Sequence, residues 1–145
     1  MQTTLNTLIL FVMMNTTAML AQEIRTPLQY ALDLKEMKEL LKTEAEGKEY
    51  LPVVLVTGNR IPEVSVTMFG EKVIIVDNKE MSRLIKKGHP FIEMGKASFR
   101  ERAGKAEFIF FCGEMKVKLK LRRERGQWTL KSISQKNRKN YFWNF

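Results

Sequence analysis

Residues 104–133 read GKAEFIFFCGEMKVKLKLRRERGQWTLKSI, and the period of this stretch decides the fold. From Met115 to Arg123 the chain alternates sharply. Met115, Val117, Leu119 and Leu121 fall on one face of an extended strand, and Lys116, Lys118, Lys120 and Arg122 on the other. A period of two is the signature of a half-buried β-strand. Turn chemistry brackets it: Cys112-Gly113-Glu114 before, Arg125-Gly126 after. Ala106–Phe111 and Gln127–Ile133 read as its neighbours, with Trp128 and Leu130 continuing the inward face. Upstream, Ala103-Gly104-Lys105 makes another turn, and Phe91–Arg102 holds a further strand with a bulge at Gly95. Residues 91–133 are therefore expected to form a four-stranded antiparallel meander.

Farther out, the period changes. Tyr30, Leu34, Met37, Leu41 and Ala45 recur at spacings of four and three, one stripe of a helix over 28–46. Pro27 suits its first turn and Gly47 its end. Asp33 falls early on its exposed face, where a carboxylate suits the helix dipole. The Val-rich run Leu51–Thr57 predicts a buried strand. Val64–Met68 and Lys72–Val76, joined at Gly70-Glu71, predict a hairpin. Asp77 and Glu80 form a capping-box pattern for a short helix over Asn78–Lys87, with Met81, Leu84 and Ile85 inward and Gly88 closing it. His89-Pro90 then forces an extended exit.

The expected fold class is α+β: a curved antiparallel β-sheet packed around one long N-terminal helix, with a short second helix. This patterning, and the closing meander 104–133 in particular, resembles the small exported NTF2-like domains and the neighbouring cystatin-like architecture. The resemblance covers roughly residues 28–134. It implies a cone-shaped α+β domain and leaves function open, since such domains serve as enzymes, ligand binders and assembly modules.

Charge is unevenly distributed. The 145-residue chain carries a formal net charge of +9 from 25 basic and 16 acidic side chains. Residues 1–22 carry none of them, 23–115 balance, and 116–145 hold 10 basic residues against the single acid Glu124. The uncharged start, with an apolar run Leu8–Met14 and small Ala21, reads as an export signal. That run is shorter than the roughly 20 residues a bilayer span requires, so no integral membrane span is expected in the mature protein. The expected organisation is a signal peptide at 1–21, one domain at 22–134, and a basic, aromatic tail at 135–145. Export to a bacterial periplasm or beyond suits a chain whose lone Cys112 has no disulfide partner within it.

The catalytic vocabulary is thin: one His, one Cys and two Asp. His89 reads as an exposed loop residue, and Cys112 as a small buried or turn-side one. Asp33 and Asp77 have local helix roles. Glu93, Glu101 and Glu107 share one strand region, but nothing in the sequence selects them as an acid–base pair. No catalytic residue, metal site or cofactor is assigned. The positive signal is charge. Lys116, Lys118, Lys120 and Arg122 repeat every 6.6 Å or so along one strand face. Arg123 and Arg125 extend them into the turn, and Lys131 falls on the neighbouring strand. Such a field attracts anionic partners. Tyr141, Phe142, Trp143 and Phe145 offer a second anchor, for a protein partner or a membrane interface. The expected function is an exported, non-catalytic domain binding an anionic envelope component or a protein through its basic C-terminal surface. Nucleic acid ranks below these, because export separates the chain from it. Three alternatives remain: a homo-oligomeric assembly module, a small hydrolase or isomerase with a pocket, and a cytoplasmic nucleic-acid-binding module. Ile109 and Phe111, opposite inward Phe108 and Phe110, leave room for a homodimer, with the tail or first helix as rival covers.

Overall fold

The computed structural model describes residues 24–44, 51–58, 60–62 and 64–137. The expected signal segment 1–21, Ala45, Gly47 and the aromatic Tyr141, Phe142, Trp143 and Phe145 lie outside them. The elements in chain order are α1 (24–33), α2 (Lys35–Glu44), β1 (Val54–Val56), β2 (Thr67–Met68), β3 (Glu71–Lys72), β4 (Ile74–Val76), α3 (Asn78–Lys86), β5 (Phe91–Arg100), β6 (Lys105–Cys112), β7 (Met115–Glu124) and β8 (Gln127–Asn137).

Where one long helix was expected over 28–46, the chain forms two. Helical backbone begins by Ile24 and is interrupted at Leu34. There Leu34 N–H reaches back only three residues, to Ala31 O, before Lys38 N–H restarts the four-residue pattern on Leu34 O. Asp33 thus ends α1 rather than sitting early in a longer helix, and Gln29 Nε2 donates to its carboxylate at 3.1 Å. Of the predicted stripe, Met37 and Leu41 are fully buried and Tyr30 and Leu34 pack half-buried against the core, while Ala45 lies outside the described residues; in α1 the fully buried positions are Leu28, Ala31 and Leu32.

The largest correction concerns the sheet. It is six-stranded, in the order β4-β1-β5-β6-β7-β8, and it is mixed. β1 pairs parallel with both β4 and β5, while β5 through β8 form the expected antiparallel meander. The sheet has β4 and β8 as its edge strands and is not curled or closed, so it does not wrap around a single helix. The cause is the crossover β4-α3-β5, which returns the chain parallel to β1 on its other side, a step that needs a helix rather than a tight turn. The predicted hairpin is real but short. Thr67 and Met68 pair with Lys72 and Glu71, Val73 N–H extends the pairing to Val66 O, and the strand then leaves to join β1. Its turn is Phe69-Gly70, one residue earlier than expected, with both residues at positive φ. Gln29 docks this hairpin on α1: its amide donates to Thr67 O at 2.9 Å and accepts from Thr67 N–H at 2.8 Å, as a strand would.

α3 starts as its sequence promises. Asp77 accepts from the backbone of Lys79 and Glu80, capping the first turn. At its end Gly88 N–H bonds Ile85 O and His89 N–H bonds Leu84 O, with Gly88 at φ +84°, a Schellman closure. Leu84 and Met81 pack inward, whereas Ile85, expected with them, is 36% exposed.

The main core lies on one face of the sheet, where α1, α2 and the hairpin cover Leu55, Ile92, Met94, Phe108, Phe110, Val117, Leu119 and Leu121. A smaller core lies on the other face, where α3 covers Val54, Val56, Val76 and Phe91. β1 is buried on both sides. The cover of α3 does not extend over the meander. Beyond Phe91, no helix among the described residues covers the second face of β5–β8. No helix among the described residues is long and apolar enough to cross a membrane.

Candidate anion-binding face

The open face is a grid set by strand register. From the turn end inward its rows are Arg100–Lys105–Arg122–Thr129, Ser98–Glu107–Lys120–Ser132, Lys96–Ile109–Lys118–Ser134 and Glu93–Phe111–Lys116–Lys136. Two irregularities create it. In β5 the register shifts between Met94 and Lys96, so Gly95 has no partner on β6. Without that bulge Lys96, Ser98 and Arg100 would share the inward face of Met94. With it they face solvent, and Ala97 and Phe99 pack on the core instead. Gly95 is also required sterically, because a Cβ there would stand 2.4 Å from a ring carbon of Phe111, which lies across it. Phe111 and Ile109 are half-buried on this face rather than bare, while Phe108 and Phe110 are fully buried and stacked at 5.7 Å on the other.

The second irregularity is in β8. The register shifts between Lys120 and Leu121, which pair with Ser132 and Leu130 and leave Lys131 extra. Lys131 thereby joins the open face beside Lys120 and Arg122. The Leu130 N–H at this point donates to the Tyr30 hydroxyl of α1 at 3.1 Å, which pins the bulge from the core side.

Charge on this face is only partly compensated. Glu107, near its centre, accepts a hydrogen bond from Lys96 Nζ at 3.2 Å and lies 3.5 Å from Lys118 Nζ. The Lys96 hydrogen bond is the main reason its carboxyl is held below the ordinary 4.5; partial burial opposes the shift, and the charges of Lys118 and Lys96 add to it. Both lysines lie in the neighbouring row, so Lys120, directly opposite Glu107 on β7, has no ion pair with it. Lys131 pairs with Glu124 at 2.5 Å, and that hydrogen bond draws the Glu124 carboxyl down. Arg100, Lys105, Lys120 and Arg122 are exposed and make no salt bridge among the described residues. They line a shallow depression of about 410 Å³ with Lys96, Ser98, Glu107 and Lys131.

The predicted basic residues separate by face. Lys116, Lys118, Lys120, Arg122 and Lys131 occupy the open face. Arg125 is exposed in the β7–β8 turn at φ +53°. Arg123 belongs to the other side. Its guanidinium sits 5.8 Å from the Trp128 ring centroid and donates to Glu101 O at 3.1 Å, so it closes the core edge rather than extending the charged field. Its parity with Leu121 already carried that signal. Sequence reasoning missed Lys96, Arg100 and Lys105 as members of the face. Lys105 precedes inward Ala106 and so had the right parity, but only the register places Arg100 and Arg122 on either side of it.

The thin catalytic vocabulary does not converge. Cys112 is buried in the main core. His89, expected in solvent, is half-buried, with Nδ1 3.0 Å from Pro52 O, where it ties the chain before β5 to the chain before β1. Glu93 and Glu107 lie on different strands two rows apart, and Glu101 lies in the turn. No cluster of three or more His, Cys, Asp and Glu suited to a metal occurs among the described residues. Comparison with protein-family models, with curated proteins and with solved structures finds no match for this chain.

Proposed function

We propose that this protein is an exported, non-catalytic binding domain that holds an anionic polymer on the open face of its meander. The observation that carries this reading is the row Arg100–Lys105–Arg122: three cations in adjacent register, facing solvent, with no acid between them. Like charges directly opposite on neighbouring strands oppose sheet formation. A bound polyanion neutralises them and releases its own counterions. Two bulges present Lys96, Arg100 and Lys131 on this face, which supports a selected surface rather than a merely solvated one. The edge strand β8 carries Lys131 at its bulge and Lys136 beyond it, features that discourage sheet-to-sheet pairing, so the face fits a heterologous ligand better than a second copy of the edge.

The test is titration of the full chain with fluorescently labelled polyphosphate and, separately, dextran sulfate at several salt concentrations. Binding that weakens steeply and log-linearly with salt, and that is lost in the double variant Lys105→Glu/Arg122→Glu while the circular dichroism spectrum holds, is the expected result. Absence of binding to both polymers at low salt, or binding indifferent to that variant, overturns the reading.

A further inference from the structure

Resting on that reading of the basic face, we propose that the depression around Lys105 is a discrete subsite for a diphosphate-class group, the place where a phosphate-bearing ligand is gripped rather than merely attracted. Charge is the first argument. Arg100, Lys105, Arg122 and Lys120 line the depression without salt bridges among the described residues, and the acid in its lining, Glu107, is engaged by Lys96 and Lys118. A carboxylate or a sulfate ester brings one negative charge to such a cluster. A diphosphate brings several, on oxygens spaced to reach more than one donor. Donor chemistry is the second argument. Two guanidiniums flank a central ammonium across three strands, an arrangement in which planar forks clamp phosphate oxygens from both sides. The Ser98 hydroxyl in the next row adds a neutral donor. Shape is the third. The depression holds about 410 Å³, within the size range of small-ligand sites and open enough for the rest of a larger ligand to continue along β7 over Lys118 and Lys116.

The subsite has a signature that a structural role for these cations does not share. In the free protein Arg100, Lys105 and Arg122 repel one another, so Lys105→Ala leaves the ligand-free fold as stable as before or more so, while it weakens binding. A residue kept for stability gives the opposite sign.

The experiment is isothermal calorimetry and thermal unfolding of the full chain with inorganic pyrophosphate, against sulfate at matched ionic strength. Pyrophosphate is expected to bind and raise Tm, and sulfate to bind much more weakly. Lys105→Ala and Arg122→Ala each weaken pyrophosphate by roughly tenfold to a hundredfold, the range for a lost hydrogen bond to a charged group, without lowering the ligand-free Tm. Lys42→Ala, on α2 beyond the core, changes neither quantity. The subsite is overturned if sulfate binds as tightly as pyrophosphate. It is also overturned if Lys136→Ala, at the far end of the same face, costs as much as Lys105→Ala, or if Lys105→Ala lowers the ligand-free Tm. Polymer binding without pyrophosphate binding removes the subsite and leaves the polyanion reading standing; loss of both removes both.

Discussion

The two halves of the sheet solve the problem of covering a β-surface in different ways. In the parallel half, β1 is three residues long and every one is buried, because α3 lies on one face and the main core on the other. In the meander, the strands run to eight residues and more, and burial alternates: β6 reads exposed or half-buried at Lys105, Glu107, Ile109 and Phe111, and buried at Ala106, Phe108, Phe110 and Cys112. The parallel half spends both faces on stability. The meander buries one under a helical cover, and among the described residues its second face carries the charge. Where a sheet is covered on one side only, its exposed side is the natural place for recognition.

The contrast is sharpest in paired substitutions. In β1, adjacent truncations should both be costly: Leu55→Ala by about 2–5 kcal/mol and Val54→Ala by about 2 kcal/mol, since each leaves a hole in a different core. In β6, adjacent truncations should diverge. Phe108→Ala should cost about 3–5 kcal/mol, whereas Ile109→Ala, half-exposed on the charged face, should cost about 1 kcal/mol or less. Denaturant unfolding of the four variants checks this. Equal costs at 108 and 109 would mean that the meander is covered on both sides.

Gly95→Ala comes next in size. The new methyl meets the Phe111 ring, so either the ring swings off the sheet or the bulge closes, at about 1–3 kcal/mol. Double-mutant analysis with Phe111→Leu should recover much of the loss, because the smaller side chain makes room. A Gly95→Ala variant as stable as the parent would show that the bulge does not depend on that glycine.

The smallest effect is electrostatic and depends on pH. The Glu107 carboxyl lies below its ordinary value in the folded state. Its contribution is therefore fully present above the ordinary value of 4.5 and is lost as pH falls through the depressed folded value. Glu107→Gln should cost about 0.5–1 kcal/mol at pH 7 and little once both states are protonated. Unfolding curves at pH 7 and in the acid limb measure the difference. A cost that persists unchanged at low pH contradicts the ion-pair account.

The same contrast explains what was legible in the sequence. The meander announced itself because a strand covered on one face must alternate, and Met115–Leu121 does so without exception. The Gly95 bulge was legible from one glycine inside a strand pattern. The α3 cap at Asp77 was legible from local chemistry alone. The parallel pairing of β1 was not, because a strand buried on both sides has no period, and Val54–Val56 carries no mark of the direction of its neighbours. The break at Leu34 was not legible, because apolar residues continue across it at helical spacing, so two helices read as one. The candidate face was half legible. The β7 cations follow from parity, but the Arg100–Lys105–Arg122 row joins residues from three strands and exists only through register and a bulge.

The most direct test of the central claim is amide chemical-shift mapping of the protein during titration with a short polyphosphate. Binding on the open face of the meander predicts that the largest changes fall in the segments 96–100, 105–107 and 120–122, with α2 and the β2–β3 hairpin left nearly unmoved. Changes centred on α2 or the hairpin, with the meander silent, would contradict it.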